Sequence, residues 1–515
     1  GHAGLFSTAS DLAKYANMLL NEGRHAGKQI LAPATVRLMT EPRPVPRGWR
    51  TYGWDVDTGY SANRGELFPR GTSFGHTGFT GTSVWIDPAS ETAVIFLSSR
   101  LHPDGKGNVT RLRGQVSTLA AAALSPGGGR EQRVVLTGID VLAREDFARL
   151  KGRKVGLVTN HTGRDREGRS TIDLLHAAEG VELVALFSPE HGIRGELDEK
   201  VGDGKDAKTG LPIWSLYGER RKPAPEQLKG IDTLVYDIQD AGCRFYTYIS
   251  TLGLVMEAAA EQGLKVVVLD RPNPINGVDV AGPVLDAGRE SFVGFHRLPV
   301  RHGMTVGELA MMFNAERKTK SGEPIRCDLE VVRMEGWRRG DFYDQTGLLW
   351  LNPSPNLRNL TAAYLYPGVG LLETTNLSVG RGTDQPFEWF GAPWLDGVKL
   401  AAALNAQGLP GVRFLPLRRT PASSVFKGET CGGVQISIDD WGQFEPLRTG
   451  LMIACELRRL YPEQWKVDRY DRLLADADTL KGLKAGRTWA RLEQGWQKEL
   501  NEFKQRRKEF LLYPE

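Results

Sequence analysis

Short apolar runs that stop abruptly in polar residues recur through the middle of the chain. Residues 154–159 (KVGLVT) run into Asn160-His161-Thr162-Gly163, and residues 182–187 (ELVALF) run into Ser188-Pro189-Glu190-His191-Gly192. Residues 232–238 (DTLVYDI) lead to Gln239-Asp240-Ala241-Gly242-Cys243-Arg244, and residues 265–269 (KVVVL) to Asp270-Arg271-Pro272-Asn273-Pro274. Helical periodicity fills the gaps, at 170–178 and in LGLVMEAAAEQG. Unbroken apolar runs of this length suit strands buried on both faces, and strand–helix alternation predicts a doubly wound parallel sheet with right-handed crossovers. Ligands of open α/β sheets bind beyond the carboxyl ends of the strands, so the four polar ends are expected to share one rim. The stretch LVALFSPEHGIRG puts Glu190 at such an end. Its alternative role is to cap the next helix or pair with an Arg.

The flanks read differently. In residues 1–124, Ser10 and Asp11 open a helix carrying Leu12, Tyr15, Leu19 and Leu20, closed by Gly23, and PATVRLMT gives a second helix. SFGHTGFTGTSVWIDPASETAVIFLSS predicts two β-runs joined at residues 87–90, and VSTLAAAAL a terminal helix. Residues 125–135 (SPGGGREQRVV) read as a linker. Residues 136–300 form the alternating α/β domain. Beyond 300 the alternation weakens, which predicts a smaller α+β domain over 301–515. It has a helix at 304–314, strands in DLEVVRM and GGVQISI, and loop-rich stretches at 352–356 and 366–388. Its last helix spaces Trp489, Leu492, Trp496, Leu500 and Phe503 at three and four as a core stripe.

Composition narrows the classes. With 40% hydrophobic and 25% charged residues over 515, the chain is globular and long enough for about three domains. The net charge of +4 is split as +5 in residues 1–135 and −1 in the remainder, too little for a nucleic-acid partner. No apolar run reaches the length of a membrane span, and the first residues lack signal-peptide features. Cys243, Cys327, Cys431 and Cys455 show no C-x-x-C spacing, so neither a zinc site nor a redox motif is expected. No G-x-G-x-x-G follows a strand, and neither cofactor nor metal is expected.

Two resemblances follow from the motifs. GHAGLFSTASDLAKY and Gly75-His76-Thr77-Gly78, with the hairpin and helix after them, make residues 1–124 similar to the C-terminal part of the serine β-lactamase and penicillin-binding-protein family. The nucleophile motif S-x-x-K is absent from the first 135 residues; Ser424 to Lys427 is the chain's one match, in an unrelated context. The segment is therefore expected to be the back half of a hydrolase domain that is unstable or packs on something else. GLVTNHTG, FSPEHGIRG, YDIQDAGCRFYTYISTL, LDRPNPING, LNPSPNLR, YPGVGLLETTNLSVGRGTDQPFE and the closing LYPE make residues 138–515 resemble the NamZ-like exo-β-N-acetylmuramidases. The resemblance implies a Rossmann-like domain, a smaller C-terminal domain and a cleft between them. It also implies release of N-acetylmuramic acid from the non-reducing ends of peptidoglycan fragments, in a periplasmic or extracellular setting.

Glycosidic cleavage needs a proton donor and, commonly, a second carboxylate. The resemblance places Glu190 as the donor, tuned by His191. Glu373 is the first choice for the second group and Asp240 the next, with Asp384 and Glu388 also in reach of the chemistry; the sugar's acetamido group is a further possibility. The lactyl carboxylate calls for an Arg fork, from Arg244, Arg271 or Arg381. Tyr246 and Tyr248 offer sugar-stacking faces, and Asn160, His161, Asn273, Asn356, Asn376 and Asp384 polar contacts. A serine acyl hydrolase and a non-catalytic wall-binding module are the competing readings.

Overall fold

A computed structural model describes residues 6–46, 48–102, 104–123, 133–189, 193, 202–218, 220–319 and 321–515. The chain divides into two compact units: residues 131–379 with 446–515, and residues 1–130 with 380–445.

The larger unit is built on a seven-stranded sheet. Its strands are β1 (Lys154–Thr159), β2 (Glu182–Ser188), β3 (Gly204–Lys205), β4 (Pro212–Ser215), β5 (Thr233–Asp237), β6 (Lys265–Leu269) and β7 (Asp328–Val332). They lie in the order β3-β4-β2-β1-β5-β6-β7, parallel except for β3. The expected strands fall within a residue of these bounds, because β1, β2, β5 and β6 are buried almost throughout and had to be apolar. Leu157, Val235, Val267 and Leu186 face one core layer, which Ile139, Leu142, Ile172 and Leu175 of the flanking helices complete.

β7 overturns the boundary expected at 300. It pairs with β6 along its whole length, and the helix Val306–Glu316 packs against it. The C-terminal residues also belong here: Tyr513 joins Val135, Met334 and Trp337 in a satellite core. The helices Leu360–Val369 and Pro446–Leu460 cross closely, since a Cβ on Gly450 would sit 2.4 Å from the Gly368 Cα. Only glycine permits that approach.

The smaller unit holds a six-stranded antiparallel sheet, whose strands run in chain order from Arg43–Val45 to Thr92–Phe96. The hairpin of Ser83–Asp87 and Thr92–Phe96 turns where expected, with Asp87 accepting from the Ser90 amide and hydroxyl. Helix Ala9–Leu20 starts from Thr8, whose hydroxyl accepts the Asp11 amide, rather than from Ser10. Residues 380–445 contribute a three-stranded sheet and the helix Gly397–Asn405. Their link to the first segment includes a buried ion pair between Arg70 and Glu388, with Asp57 3.6 Å from the same guanidinium. So the β-lactamase-like segment does pack on another part of the chain. Phe6, Ile30, Tyr52, Tyr60, Phe79 and Leu119 nevertheless stay more than half exposed. All four cysteines are free thiols. Among the described residues no helix is long and apolar enough to cross a membrane.

Candidate active site

The strand order fixes where a ligand belongs. From β1 the chain builds outward through β2 to β4, then returns to the other side of β1 with β5. The crossovers therefore diverge between β1 and β5, and ligands of such sheets bind at the carboxyl ends of the two strands that flank this switch point. Asn160 follows β1 there, and Gln239 and Asp240 follow β5.

The rim is tightly wired. Thr159 Oγ1 donates to the Asp237 carbonyl at 2.8 Å, tying the two strand ends together. Asn160 Oδ1 accepts from the Thr162 amide at 2.9 Å and its hydroxyl at 2.5 Å, and Thr162 Oγ1 accepts the Gln239 amide at 3.0 Å. Asp240 Oδ2 accepts the Gly242 amide at 2.8 Å and lies 3.5 Å from His302 Nε2. Asp240, Asn160 and His302 are all buried. Among the described residues, Asp240 Oδ1, Asn160 Nδ2 and Gln239 Oε1 have no hydrogen-bond partner. Donors and acceptors left open in a buried place are costly unless something meets them, so this is where substrate polarity fits. Burial, helped by the Asp240 charge, also lifts the Tyr236 hydroxyl well above its ordinary pKa.

Aromatic residues and a loop stand beside this rim. The Tyr246 ring meets Tyr248 edge-on at 5.0 Å and Tyr366 at 5.8 Å. The Tyr248 hydroxyl donates to the Pro353 carbonyl at 2.7 Å, and His161 Nε2 lies 2.6 Å from the Asn352 carbonyl. These bonds hold the LNPSPNLR loop against the ends of β1 and of the helix Tyr248–Gln262. Asn356 is half-buried in that loop and donates its amide to Ser354 Oγ at 3.3 Å.

Several expected sugar contacts are structural instead. Arg244 is fully buried and donates to the main-chain carbonyls of Pro283, Leu298, Leu473 and Leu474; desolvation lowers its pKa to about 10. Arg271 spends its fork on Asp237, at 2.5 and 2.8 Å, and donates again to the Arg164 carbonyl. Burial opposes its charge, but the Asp237 carboxylate outweighs this and raises its pKa. Neither guanidinium is presented to a lactyl carboxylate. Asn273 bridges the Met304 carbonyl and the Ile275 amide, and Asn376 bridges the Gln464 carbonyl and the Lys466 amide. The Tyr248 hydroxyl is likewise committed to the main chain.

Of the carboxylates, Asp240 sits on the rim and Glu373 lies half-buried on the turn Gly370–Thr374. Asp384 and Glu388 belong to the smaller unit. There Arg419 bonds Asp384 at 2.5 Å, and Arg70 pairs with Glu388. Arg381 is half-buried between Gly380 and Gly382, both in left-handed conformation. Glu190 and His191 lie outside the described residues. A trio of acids, Asp140, Asp165 and Glu167, comes together elsewhere, but Asp140 caps through Thr137 and Arg166 and Asp165 holds Arg169. His302 is the residue that sequence reasoning missed. Its one signal is a His before a left-handed glycine, Gly303, at the end of the strand Pro299–Arg301.

A doubly wound sheet with buried polar side chains gathered at its switch point defines the chain as an α/β protein. Family models for the exo-β-N-acetylmuramidase NamZ match residues 155–361 (N-terminal) and 364–513 (C-terminal). The peptidoglycan β-N-acetylmuramidase NamZ of Bacillus subtilis is 41% identical over 404 residues, covering 77% of this chain and 96% of that protein. The chain belongs to the NamZ exo-β-N-acetylmuramidase family. A DUF1343 family crystal structure from Bacteroides fragilis superposes with a TM-score of 0.68 at 41% identity, covering 74% of this chain and 99% of that one. A second from the same organism gives 0.60 at 33%, with the same coverage. Residues 1–116 match a β-lactamase family model. Over 106 residues the chain is also 36% identical to an Escherichia coli O157:H7 protein named "Putative D-alanyl-D-alanine carboxypeptidase", spanning 24% of its length.

Proposed function

We infer that this chain is an exo-acting glycosidase that releases N-acetylmuramic acid from the non-reducing ends of peptidoglycan fragments. The observation that carries this is the match to nearly the whole length of the Bacillus subtilis enzyme, 96% of it at 41% identity. The open polar atoms at the switch point support it, because such donors and acceptors suit the hydroxyls and amide of an amino sugar. Glu190, which follows Pro189 after β2, is our proton donor, with His191 tuning it. For the second group we favour Asp240 over Glu373, since Asp240 keeps a buried, open oxygen on the rim. Asp384 and Glu388 are weaker choices, each being held by an arginine. With a substrate in the cell wall, we place the enzyme in the periplasm or outside the cell.

The test is hydrolysis of a chromogenic β-glycoside of N-acetylmuramic acid by the purified full chain. Release of the free sugar is the expected result, and Glu190→Gln is expected to abolish it while circular dichroism stays unchanged. No release by the unaltered protein overturns the function. Undiminished release by the variant overturns only the role of Glu190.

A further inference from the structure

Gln239 lies inside the motif YDIQDAGCRFYTYISTL without an expected role of its own, yet its amide groups tie three strand ends together. It stands just past β5 and is buried. Its main-chain amide donates to Thr162 Oγ1 at 3.0 Å, in the turn after β1. Its side-chain Nε2 donates to the Pro272 carbonyl at 2.8 Å, in the loop after β6, and to the Asp240 carbonyl at 2.9 Å. Both side-chain amide protons are thereby used. Turning the amide over would set Oε1 against two carbonyl oxygens, so chemistry fixes its orientation. Oε1 is left buried with no hydrogen-bond partner.

Asn160 shows the converse. Its Oδ1 accepts the Thr162 amide at 2.9 Å and the Thr162 hydroxyl at 2.5 Å, and that hydroxyl oxygen is the one that takes the Gln239 amide. Turned over, the Asn160 NH2 would face the Thr162 N–H, so Nδ2 is the atom left open, and it too is buried without a partner. Gly163 lets this turn close on β5, since a Cβ there would lie 2.1 Å from Thr159 Oγ1 and 3.0 Å from the Asp237 carbonyl. Thr159 and Asp237 are themselves register partners. One hydroxyl therefore links two amide side chains on neighbouring strand ends, one with its acceptor open and the other with its donor open.

We propose that Gln239 and Asn160 determine specificity for the acetamido group of the sugar: Gln239 Oε1 accepts its N–H, and Asn160 Nδ2 donates to its carbonyl oxygen. This rests on the reading that the chain cleaves N-acetylmuramic acid glycosides. The parts of the sugar differ in what they offer to such a pair. The lactyl carboxylate has no proton for Gln239 Oε1. A hydroxyl is a single atom that would have to reach both side chains at once, whereas a secondary amide carries its donor and its acceptor on separate atoms. A buried site made for an amide rejects an analogue that lacks one, because its own donor and acceptor are then left unpaired.

The experiment compares kcat/KM of the full chain on two chromogenic β-glycosides that both keep the lactyl ether: that of N-acetylmuramic acid, and its analogue with a hydroxyl in place of the acetamido group. The unaltered protein is expected to prefer the first by about a hundredfold or more. Asn160→Asp keeps Oδ1 for Thr162 but turns the open donor into an acceptor. It should lower kcat/KM on the acetamido substrate by about tenfold or more, and leave the analogue within about threefold. Gln239→Met, which keeps the side-chain length and removes the acceptor, should do likewise. No preference in the unaltered protein, equal losses on the two substrates, or an undiminished preference in either variant overturns the proposal. Where neither variant folds, a crystal structure of the unaltered protein at saturating N-acetylmuramic acid decides. The acetamido group within hydrogen-bond distance of Gln239 Oε1 and Asn160 Nδ2 supports the assignment; ordered water on those atoms, with the sugar elsewhere or absent, overturns it. If the unaltered protein cleaves neither glycoside, it is the glycosidase reading that fails.

Discussion

The Tyr513 hydroxyl donates to Asp270 Oδ2 at 2.5 Å, joining the closing LYPE motif to the end of β6. Asp270 also accepts the Thr305 hydroxyl at 2.7 Å and the Gly307 amide at 2.8 Å, and all of this is buried. The bond explains why residues so near the C-terminus belong to the larger unit. The helix that begins after Thr305 and the C-terminal tail both anchor on one carboxylate.

That carboxylate makes stability depend on pH. Burial pushes the Asp270 pKa up from 3.8 to about 6, despite the donors that oppose the shift. A raised folded pKa means that the group contributes stability below its unfolded value and loses it as pH rises through the folded one. The window is about pH 4 to 6, and the span corresponds to about 3 kcal/mol. Asp270→Asn should therefore show a shallower loss of denaturation free energy across that window than the unaltered protein. Parallel curves from urea titrations at pH 4, 5, 6 and 7 would show that Asp270 is not the titrating group.

Arg271→Lys tests the reassignment of a residue that the motif LDRPNPING had put beside the sugar. Lysine offers one point charge where Asp237 now receives two parallel bonds, and the buried carboxylate is left partly unpaired. A loss of about 2–4 kcal/mol is expected. If Arg271 gripped the lactyl group instead, KM for an N-acetylmuramic acid glycoside would rise far more than for the N-acetylglucosamine analogue, which lacks it. The expected ratio of the two KM values is unchanged.

Arg244 gives a sharper contrast. Its four carbonyl acceptors come from residues 283, 298, 473 and 474, so it clasps the C-terminal region to the β5 end without touching a side-chain anion. Arg244→Met removes the donors and leaves those carbonyls buried, each at a cost of about 1–3 kcal/mol. Expression of folded protein should collapse. A soluble Arg244→Met enzyme with an altered KM alone would restore the arginine to the substrate.

The contrast shows what a sequence discloses. β1, β2, β5 and β6 were legible because a strand buried on both faces has to be apolar along its length. β7 was legible as a strand, in DLEVVRM, but not as a member of this sheet, since Asp328, Leu329, Glu330 and Val331 keep some exposure at the sheet edge and follow a stretch where the alternation has weakened. The polar strand ends were legible as a group, and the topology turned them into a rim. Their individual duties were not. Arg244 and Arg271 look like ligand forks in any listing of motifs, and only the placement of distant carbonyls and of Asp237 shows that their donors are taken. His302 had no repeating pattern to reveal it, because the fold and not spacing brings it within 3.5 Å of Asp240.

The pair of Arg70 and Glu388 decides whether residues 6–123 and 380–445 fold as one cooperative unit. Arg70 is nearly buried and Glu388 completely so, with Asp57 close to the same guanidinium. Arg70→Ala takes the guanidinium away from the buried Glu388 carboxylate, and breaking one side of such a pair costs about 3–5 kcal/mol. Replacing both ends with apolar residues, Arg70→Met with Glu388→Leu, removes the buried carboxylate together with its guanidinium and should recover much of that loss, with Asp57 still served by Arg64 at 3.0 Å. Limited proteolysis read by mass spectrometry gives the outcome segment by segment. Faster cleavage in both segments of Arg70→Ala, reversed in the double variant, is expected of one unit. Cleavage that accelerates in residues 6–123 alone would mean that residues 380–445 hold their fold without the β-lactamase-like segment, and that the ion pair is a contact between two independent pieces.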